Sequence, residues 1–149
     1  MKTILLSISA LMISAAGVAA ADDPIAVRKA LMQATAASAA TSGGMMKGDI
    51  AYNPAVAKAA IATLNAVSHA YGDFFPEGLS GENSTASPNI WEDTDAWQQA
   101  LSKFQIDTQA AVEVSGKDGP ADLASFQAVI GPVLSNCRSC HENFRVQTN

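Results

Sequence analysis

Two cysteines lie three positions apart near the C-terminal end of the chain, and a histidine directly follows the second. These residues are Cys137, Cys140 and His141, and the sequence contains no other cysteine. On a helix, positions three or four apart share one face, so both thiols would point the same way. Cys-x-x-Cys-His is the attachment signature of haem c. The pattern therefore predicts one covalently bound haem and a fold that can enclose it.

The three residues of this motif have separate chemical roles. The thiols of Cys137 and Cys140 add to two vinyl groups of the haem, which gives two thioether bonds. The imidazole of His141 then becomes the proximal ligand of the iron. Burial of the macrocycle also adds apolar area, which a small domain lacks. We therefore expect the fold to depend on the cofactor.

Two other kinds of cysteine site have to be considered. A redox-active Cys-x-x-Cys pair is expected beside a strand–helix–strand pattern, which this sequence lacks. A structural zinc site needs four ligands, and only His69 and His141 could join the cysteines. The redox dithiol remains the main alternative to haem attachment. His69 is expected to be a surface or structural residue.

The N-terminal residues have the pattern of a secretory signal peptide. Lys2 supplies a positive charge, residues 4–16 are apolar or small, and residues 18–21 offer a signal-peptidase site. This apolar run is too short for a membrane span, and no later run is long enough. We therefore expect cleavage after residue 20 or 21. Residues 22–149 should form one exported, periplasmic domain.

The acidic composition excludes some classes of partner. The 149 residues carry a formal net charge of −5, which becomes −6 when Lys2 is removed with the leader. Binding to nucleic acid requires a basic patch, so we expect no nucleic-acid partner. An acidic surface remains compatible with a basic protein partner.

Signals for helices recur along the chain, whereas signals for strands do not. Asp23-Pro24 and Asn53-Pro54 each offer an N-cap followed by a proline at the first helical position. Two later segments have apolar residues at steps of three and four. The predicted helices span residues 25–46, residues 54–71, residues 93–95 to about 115, and about 121 through the haem motif.

Three interruptions of this pattern carry further expectations. Gly43-Gly44 is a weak point in the first helix, and Pro132 should kink the last one. The long connection from Asp73 to Ile90 is expected to be functional or to lie over another element.

Four amphipathic helices with short or medium links predict an all-α fold. This fold would be an antiparallel up-down four-helix bundle with haem in its core near one end.

The position of the motif on the last helix resembles class II c-type cytochromes, above all the cytochrome c′ family. The resemblance covers nearly the whole mature chain. It rests on Cys137-Arg-Ser-Cys-His-Glu-Asn-Phe-Arg145, Arg28-Lys-Ala-Leu-Met32, Lys47-Gly48, Phe75-Pro-Glu-Gly78, Pro88-Asn-Ile-Trp91-Glu92 and Phe104-Gln105.

This resemblance implies a five-coordinate, high-spin iron with an apolar pocket opposite the histidine, where nitric oxide and carbon monoxide bind. It places Arg145 close to the proximal histidine and Met32 opposite the sixth coordination site. It places Arg28 near a haem propionate, and Thr85 where the long loop approaches the haem edge. Lys29 differs from the glutamine common at its position, so no haem contact is assigned to it. The family is usually homodimeric.

Several interpretations of these residues stay open. Some class II relatives are low-spin electron carriers that use a first-helix methionine as the sixth ligand, a role that Met32 could fill. Met32 could also be core packing, and Arg28 a solvated helix residue. A haem peroxidase is less favoured, because no histidine lies near Met32 to act as acid and base. We expect a gas-binding or electron-carrying cytochrome with a redox protein partner, and not an enzyme.

Overall fold

The structure, a computed structural model, describes residues 23–79 and 83–146, and these residues are mostly helical. The predicted signal peptide, residues 1–21, lies outside the described residues. The helices are α1 (Pro24–Lys47), α2 (Pro54–Ala70), α3 (Asn89–Glu92), α4 (Thr94–Ser115) and α5 (Leu123–Phe144), with a 3₁₀ turn at Tyr71–Phe74. The four long helices form the predicted bundle, in which α1, α2, α4 and α5 pack in a ring.

Each long helix begins at a side chain that caps its free N–H groups. The carboxylate of Asp23 accepts hydrogen bonds from the first turn of α1, and the amide oxygen of Asn53 does the same for α2. Asp93 and Asp122 cap α4 and α5 in the same way. These caps supply partners that the first turn of a helix otherwise lacks. They confirm the predicted starts of α1, α2 and α4.

The boundaries differ from the prediction at a few positions. α1 passes through Gly43-Gly44 without interruption, and it ends before Gly48, which has the left-handed φ of 83°. A Cβ atom on Gly44 would lie 2.7 Å from the side chain of Ile50, so this glycine lets the following turn fold back on the helix. α5 begins at Leu123, two residues later than expected. The short α3 begins in the last residues of the predicted connection and continues to Glu92.

The interior of the bundle is divided between two groups of side chains. The main core fills the end farther from the haem motif and consists of Met45, Ala57, Ile61, Leu64, Ala111, Phe126, Ile130 and Val133. The aromatic cluster lies at the other end and consists of Ile90, Trp97, Leu101 and Phe144 with the partly buried Tyr71, Phe75, Trp91 and Cys140. The haem motif is therefore adjacent to a distinct part of the interior.

α5 continues on both sides of Pro132, and its expected kink stays a prediction. One turn later, the buried Asn136 donates a hydrogen bond of 2.7 Å to the carboxylate of Asp107 on α4. Lys103 contacts the same carboxylate at 2.6 Å. The two helices are thus joined immediately before Cys137. No helix in the described parts of the chain is long and apolar enough to cross a membrane.

Candidate functional site

The Cys-x-x-Cys-His motif occupies the last turns of α5. Cys137 and Cys140 are half-buried, and Cys140 packs against the aromatic cluster. The steps of three and four in the sequence of α5 predict that the whole motif faces the core, but His141 is exposed. Consecutive helical residues point about 100° apart, and His141 lies at the edge of the face that Cys140 occupies. α5 therefore presents two thiols towards the interior and a histidine at its flank.

The electrostatic surroundings of the thiols do not suit a redox dithiol. Burial raises the pKa of Cys137, and burial followed by the proximity of Cys137 raises the pKa of Cys140 to about 11. Redox-active pairs instead need a thiol whose pKa is lowered towards neutrality. Within residues 23–79 and 83–146, no three Cys, His, Asp or Glu side chains are grouped so that they could hold a metal ion.

The pKa of His141 is shifted in the direction that favours binding to iron. Partial desolvation, and next the positive charge of Arg145, lower the pKa of the imidazole below its usual value. The neutral imidazole, which this shift favours, is the form that binds metals. Arg145 lies one helical turn beyond His141, and its role at the proximal histidine stays a prediction.

A strap formed by residues 84–89 holds the C-terminal end of α5. The carbonyl of Phe144 accepts a hydrogen bond of 3.0 Å from the backbone N–H of Ser87. The side-chain amide of Asn89 donates to the carbonyl of Asn143, also at 3.0 Å. The last carbonyls of a helix have no partner within the helix, so these bonds stabilise the turn that contains the histidine.

The strap also brings Thr85 close to Arg145. The carbonyl of Thr85 accepts a hydrogen bond of 2.8 Å from Val146, and Ala86 forms an isolated antiparallel bridge with Arg145. The side chains of Thr85 and Arg145 are both exposed. The structure thus places these two predicted site residues together, one turn beyond the histidine. Contact of Thr85 with the haem edge stays a prediction.

Arg28 on α1 is a buried cation with unsatisfied nitrogen atoms. Its side chain is 4% exposed, its guanidinium carbon lies 4.5 Å from the centroid of the Phe75 ring, and Nη2 donates to the carbonyl of Leu79 at 3.4 Å. Among residues 23–79 and 83–146, Nε and Nη1 have no hydrogen-bond partner. Burial of such donors without a partner costs free energy. Arg28 is therefore not a solvated helix residue, and its free donors suit an anion.

Tyr71 links α1 to the motif, although no sequence pattern singled it out. Its ring packs against Phe75 at 5.0 Å between centroids. Burial, and next the nearby Cys140, raise the pKa of its hydroxyl to about 12, while the charge of Arg28 acts in the opposite direction. Tyr71 therefore lies near both Arg28 and Cys140. Met32 is half-buried on α1, one turn beyond Arg28.

These residues fit a covalently attached haem. The two thiols are spaced for thioether bonds, the neutral imidazole is adjacent, and the free donors of Arg28 match the negative charge of a propionate. α1 also contacts α5 less extensively than the other neighbouring long helices contact one another. The elements that carry Arg28, Met32 and the motif are therefore the least tightly joined pair in the ring.

The aromatic wall of this site has a signal in the sequence, from which Trp91, Trp97 and Phe104 are interpreted as core or haem-wall residues. The chain has nine aromatic residues, and five of them fall between positions 71 and 97. Such a concentration in and beside a long connection indicates a buried surface rather than a simple loop. Which of these rings face the motif depends on how the connection folds over α4 and α5.

Comparison with known proteins agrees with this arrangement. The model of the family described as Cytochrome C′ matches residues 23–145. The chain is 32% identical to a cytochrome c′ of Rhodopseudomonas palustris over 149 residues, with 99% of both chains covered. It is 34% identical to a cytochrome c-554 of Cereibacter sphaeroides over 122 residues, which cover 79% of this chain and 89% of the relative.

A solved structure is similar over the same region. The structure of cytochrome c′ from Rhodopseudomonas palustris superimposes with a TM-score of 0.75 and 32% identity, and the match covers 85% of this chain and 98% of the other. The sequence match, the bundle and the C-terminal motif agree with one another. The chain belongs to the cytochrome c′ family.

Proposed function

We propose that the chain is an exported, periplasmic mono-haem cytochrome that binds small gases such as nitric oxide and carbon monoxide, transfers one electron, or does both. Two thioether bonds to Cys137 and Cys140 would hold the haem, and His141 would bind its iron. The observation that carries this proposal is the pairing of the Cys-x-x-Cys-His motif on α5 with the unsatisfied donors of Arg28. Family membership supports the same cofactor.

Different residues of the chain would hold the cofactor and orient its iron ligand. Arg28 would bind a propionate through Nε and Nη1, for which the described part of the chain offers no partner. The strap would fix the last turn of α5 and with it the direction of the His141 imidazole. When bound, the haem supplies a redox centre and a coordination site for diatomic gases.

The side of the iron opposite His141 decides between two versions of this function. We propose a vacant sixth position and a high-spin iron, with Met32 as part of the apolar wall. The alternative is a low-spin electron carrier in which the sulfur of Met32 is the sixth ligand. The half-buried position of Met32, one turn from Arg28, is compatible with either version.

We further propose that the protein is not an enzyme. α1 contains no histidine, aspartate or glutamate, so the helix that bears Met32 lacks the side chains that most often act as acid or base. Its partners would be a diatomic gas or a redox protein. A homodimer, usual in the family, is part of the same proposal, and its mass can be measured by light scattering.

The first prediction concerns covalent attachment. Mass spectrometry of the denatured protein from its native host should show one haem retained by the peptide that contains Cys137 and Cys140. Replacement of either cysteine by alanine should lower the yield of haem protein. Replacement of Ser139 by alanine, between them, should leave the yield unchanged. Free thiols at both cysteines would contradict the proposal.

The second prediction concerns Met32. Met32→Leu removes the sulfur and nearly conserves the volume, and Met46→Leu is a matched control on the same helix beside the main core. We expect both variants to keep the high-spin spectrum of the native protein, which should bind carbon monoxide when reduced. A low-spin native spectrum that becomes high-spin only in Met32→Leu would establish the alternative instead.

A further inference from the structure

A cleft lies beside the aromatic cluster, between the connection that follows α2 and the start of α4. Its volume is about 360 Å³. Aromatic rings form much of its wall, and polar side chains complete it. Its lining includes Phe75, Glu77, Trp91, Thr94, Trp97 and Gln98. We call it the acidic cleft, because of the charges around it.

The two segments that line the acidic cleft carry charge of one sign only. Residues 71–79 and 89–99 contain five carboxylates and no lysine, arginine or histidine. All five are exposed, and each lines the cleft or lies within one or two positions of a lining residue. The guanidinium of Arg28 lies 4.5 Å from the centroid of the Phe75 ring but is buried, so the exposed charges at the rim of this concave surface are negative and attract cations. The carboxylates are those of Asp73, Glu77, Glu92, Asp93 and Asp95.

The wall of the acidic cleft is continuous with the aromatic cluster that contacts the haem motif. The half-buried Trp91 has its indole N–H fixed by the carbonyls of Phe75 and Pro76, at 3.3 and 3.1 Å. The centroids of Phe75 and Trp97 are 4.9 Å apart, and those of Trp97 and Phe144 are 5.2 Å apart. Cys140 packs in the same cluster. An occupant of the cleft would therefore lie within a few packed rings of the haem attachment site.

We propose that the acidic cleft is the docking site of a basic electron-transfer protein, which would place lysine or arginine side chains of its surface against the five carboxylates. The proposal deepens the electron-transfer part of the proposed function and rests on it. One electron would pass from the ferrous haem of this chain to the ferric centre of the partner, or in the reverse direction. No bond or proton needs to move.

Two other occupants fit the observations less well. A single metal ion would need converging ligands, and no three such side chains in the described ranges are grouped to hold one. A second copy of this chain would bring an acidic protein against an acidic surface, because the whole chain has a net charge of −5. Like charges in contact oppose association. The five carboxylates are spread over two segments, so an extended positive surface fits them better than a single ion does.

The main test compares charge removal at the cleft with equal charge removal elsewhere. Glu77→Gln combined with Glu92→Gln removes two rim charges and leaves Asp93, the cap of α4, in place. The control combines Asp49→Asn with Asp118→Asn, two exposed positions at the opposite end of the bundle. The probe is an oxidised basic mono-haem cytochrome, mixed with the reduced protein in a stopped-flow instrument.

We expect the cleft variant to react about three- to tenfold more slowly at low ionic strength, with the difference disappearing at high salt. The control variant should react nearly as fast as the native protein. With anionic hexacyanoferrate(III) as the oxidant, the cleft variant should not be slower. Equal slowing of both variants by the basic probe would overturn the proposal, because only the net charge would then matter.

A binding measurement gives a second readout that does not depend on electron transfer. The chain has two tryptophans, Trp91 and Trp97, so its indole N–H signals in an NMR spectrum report on the cleft. Titration with the zinc-substituted, redox-inactive form of the basic cytochrome should shift both signals. Gln98→Lys places a positive charge in the cleft at a helical position, and it should abolish these shifts. Binding that leaves both signals unmoved would overturn the proposal.

Different results would contradict the proposed function and the proposed docking site. If mass spectrometry shows no covalent haem, the proposed function is wrong whatever the rates of electron transfer are. The indole titration would still test the docking site in that case. A protein that carries haem but shows no preference for the basic probe over the anionic one would remove the docking site alone.

Discussion

Arg28 shows at the scale of a single residue how this chain is adapted to a cofactor. Its guanidinium stacks on Phe75, and burial lowers its pKa, opposed by the nearby Tyr71 and Asp23. Two of its nitrogens have no hydrogen-bond partner within the segments that the structure describes. Burial of an arginine with unpaired donors lowers the stability of the fold unless an anion binds to those donors. We therefore interpret Arg28 as one partner of an ion pair in which a haem propionate is the other.

Replacement of Arg28 tests this reading with a matched control. Arg28→Met keeps most of the apolar stem and removes the charge, whereas Lys29→Met makes a similar change at the exposed neighbouring position. In the haem protein, Arg28→Met should lower the free energy of unfolding by about 1–3 kcal/mol, because the propionate loses its partner. Lys29→Met should change it by less than about 0.5 kcal/mol.

Urea denaturation of both variants gives the comparison, and Arg28→Lys should restore part of the stability. Equal or greater stability of Arg28→Met would contradict the ion pair. In that case the guanidinium would be an unpaired charge in the haem protein as well, and its removal would raise the free energy of unfolding.

At the scale of the elements, α5 is held on both sides of the haem motif. Before the motif, Asn136 bonds to Asp107 on α4. After it, the strap binds the last carbonyls of the helix. Between these two points the helix makes the turn that carries the cysteines and the histidine. We infer that this double attachment limits the positions that the iron ligand can adopt.

The attachment before the motif should depend on pH. Burial raises the pKa of Asp107, but the hydrogen bonds from Lys103 and Asn136 outweigh it, and the net pKa is lowered. A lowered pKa in the folded state means that the ionised carboxylate adds stability above the unfolded pKa near 4. This contribution is lost as the pH falls through the folded pKa.

Asp107→Asn should therefore lower the free energy of unfolding by about 1 kcal/mol at pH 7. The difference from the native protein should shrink when the pH is lowered below about 4. Urea denaturation over this pH range measures both effects, and Glu113→Gln, an exposed carboxylate on the same helix, is the control. A difference that stays constant with pH would contradict the assignment.

Sequence patterns predicted the elements better than the contacts between them. N-caps and prolines fix where α1 and α2 begin, because those signals act within a few residues. The exposed His141 and the bond between Asn136 and Asp107 depend on how α5 rotates against α4. The strap joins residues more than fifty positions apart, so no local pattern reports it. Cys137 and Cys140 could be assigned because their chemistry is specific whatever the surroundings.

At the scale of the whole molecule, the two parts of the interior differ in their relation to the haem. The main core joins the late part of α1, the early part of α5 and the helices between them, and no residue of the motif belongs to it. The aromatic cluster includes Cys140 and packs beneath the strap. Arg28, at the same end of the bundle, has donors that no group of the described residues satisfies. The two ends should therefore respond differently to loss of the cofactor.

Production of the chain without haem attachment should reveal this difference. Folded domains are stable by only ~5–15 kcal/mol, and regions with few satisfied contacts open first. We expect amide hydrogen exchange in residues 134–146 and in the strap to become fast, because these segments lose the apolar face of the haem and the anion that completes Arg28. Amides of α2 and of residues 123–133 should keep much of their protection, since the main core is intact. Exchange measured by mass spectrometry on haem-bound and haem-free protein gives the comparison. Uniform loss of protection, or haem-free protein that unfolds at the same temperature as the haem protein, would contradict this division of the interior.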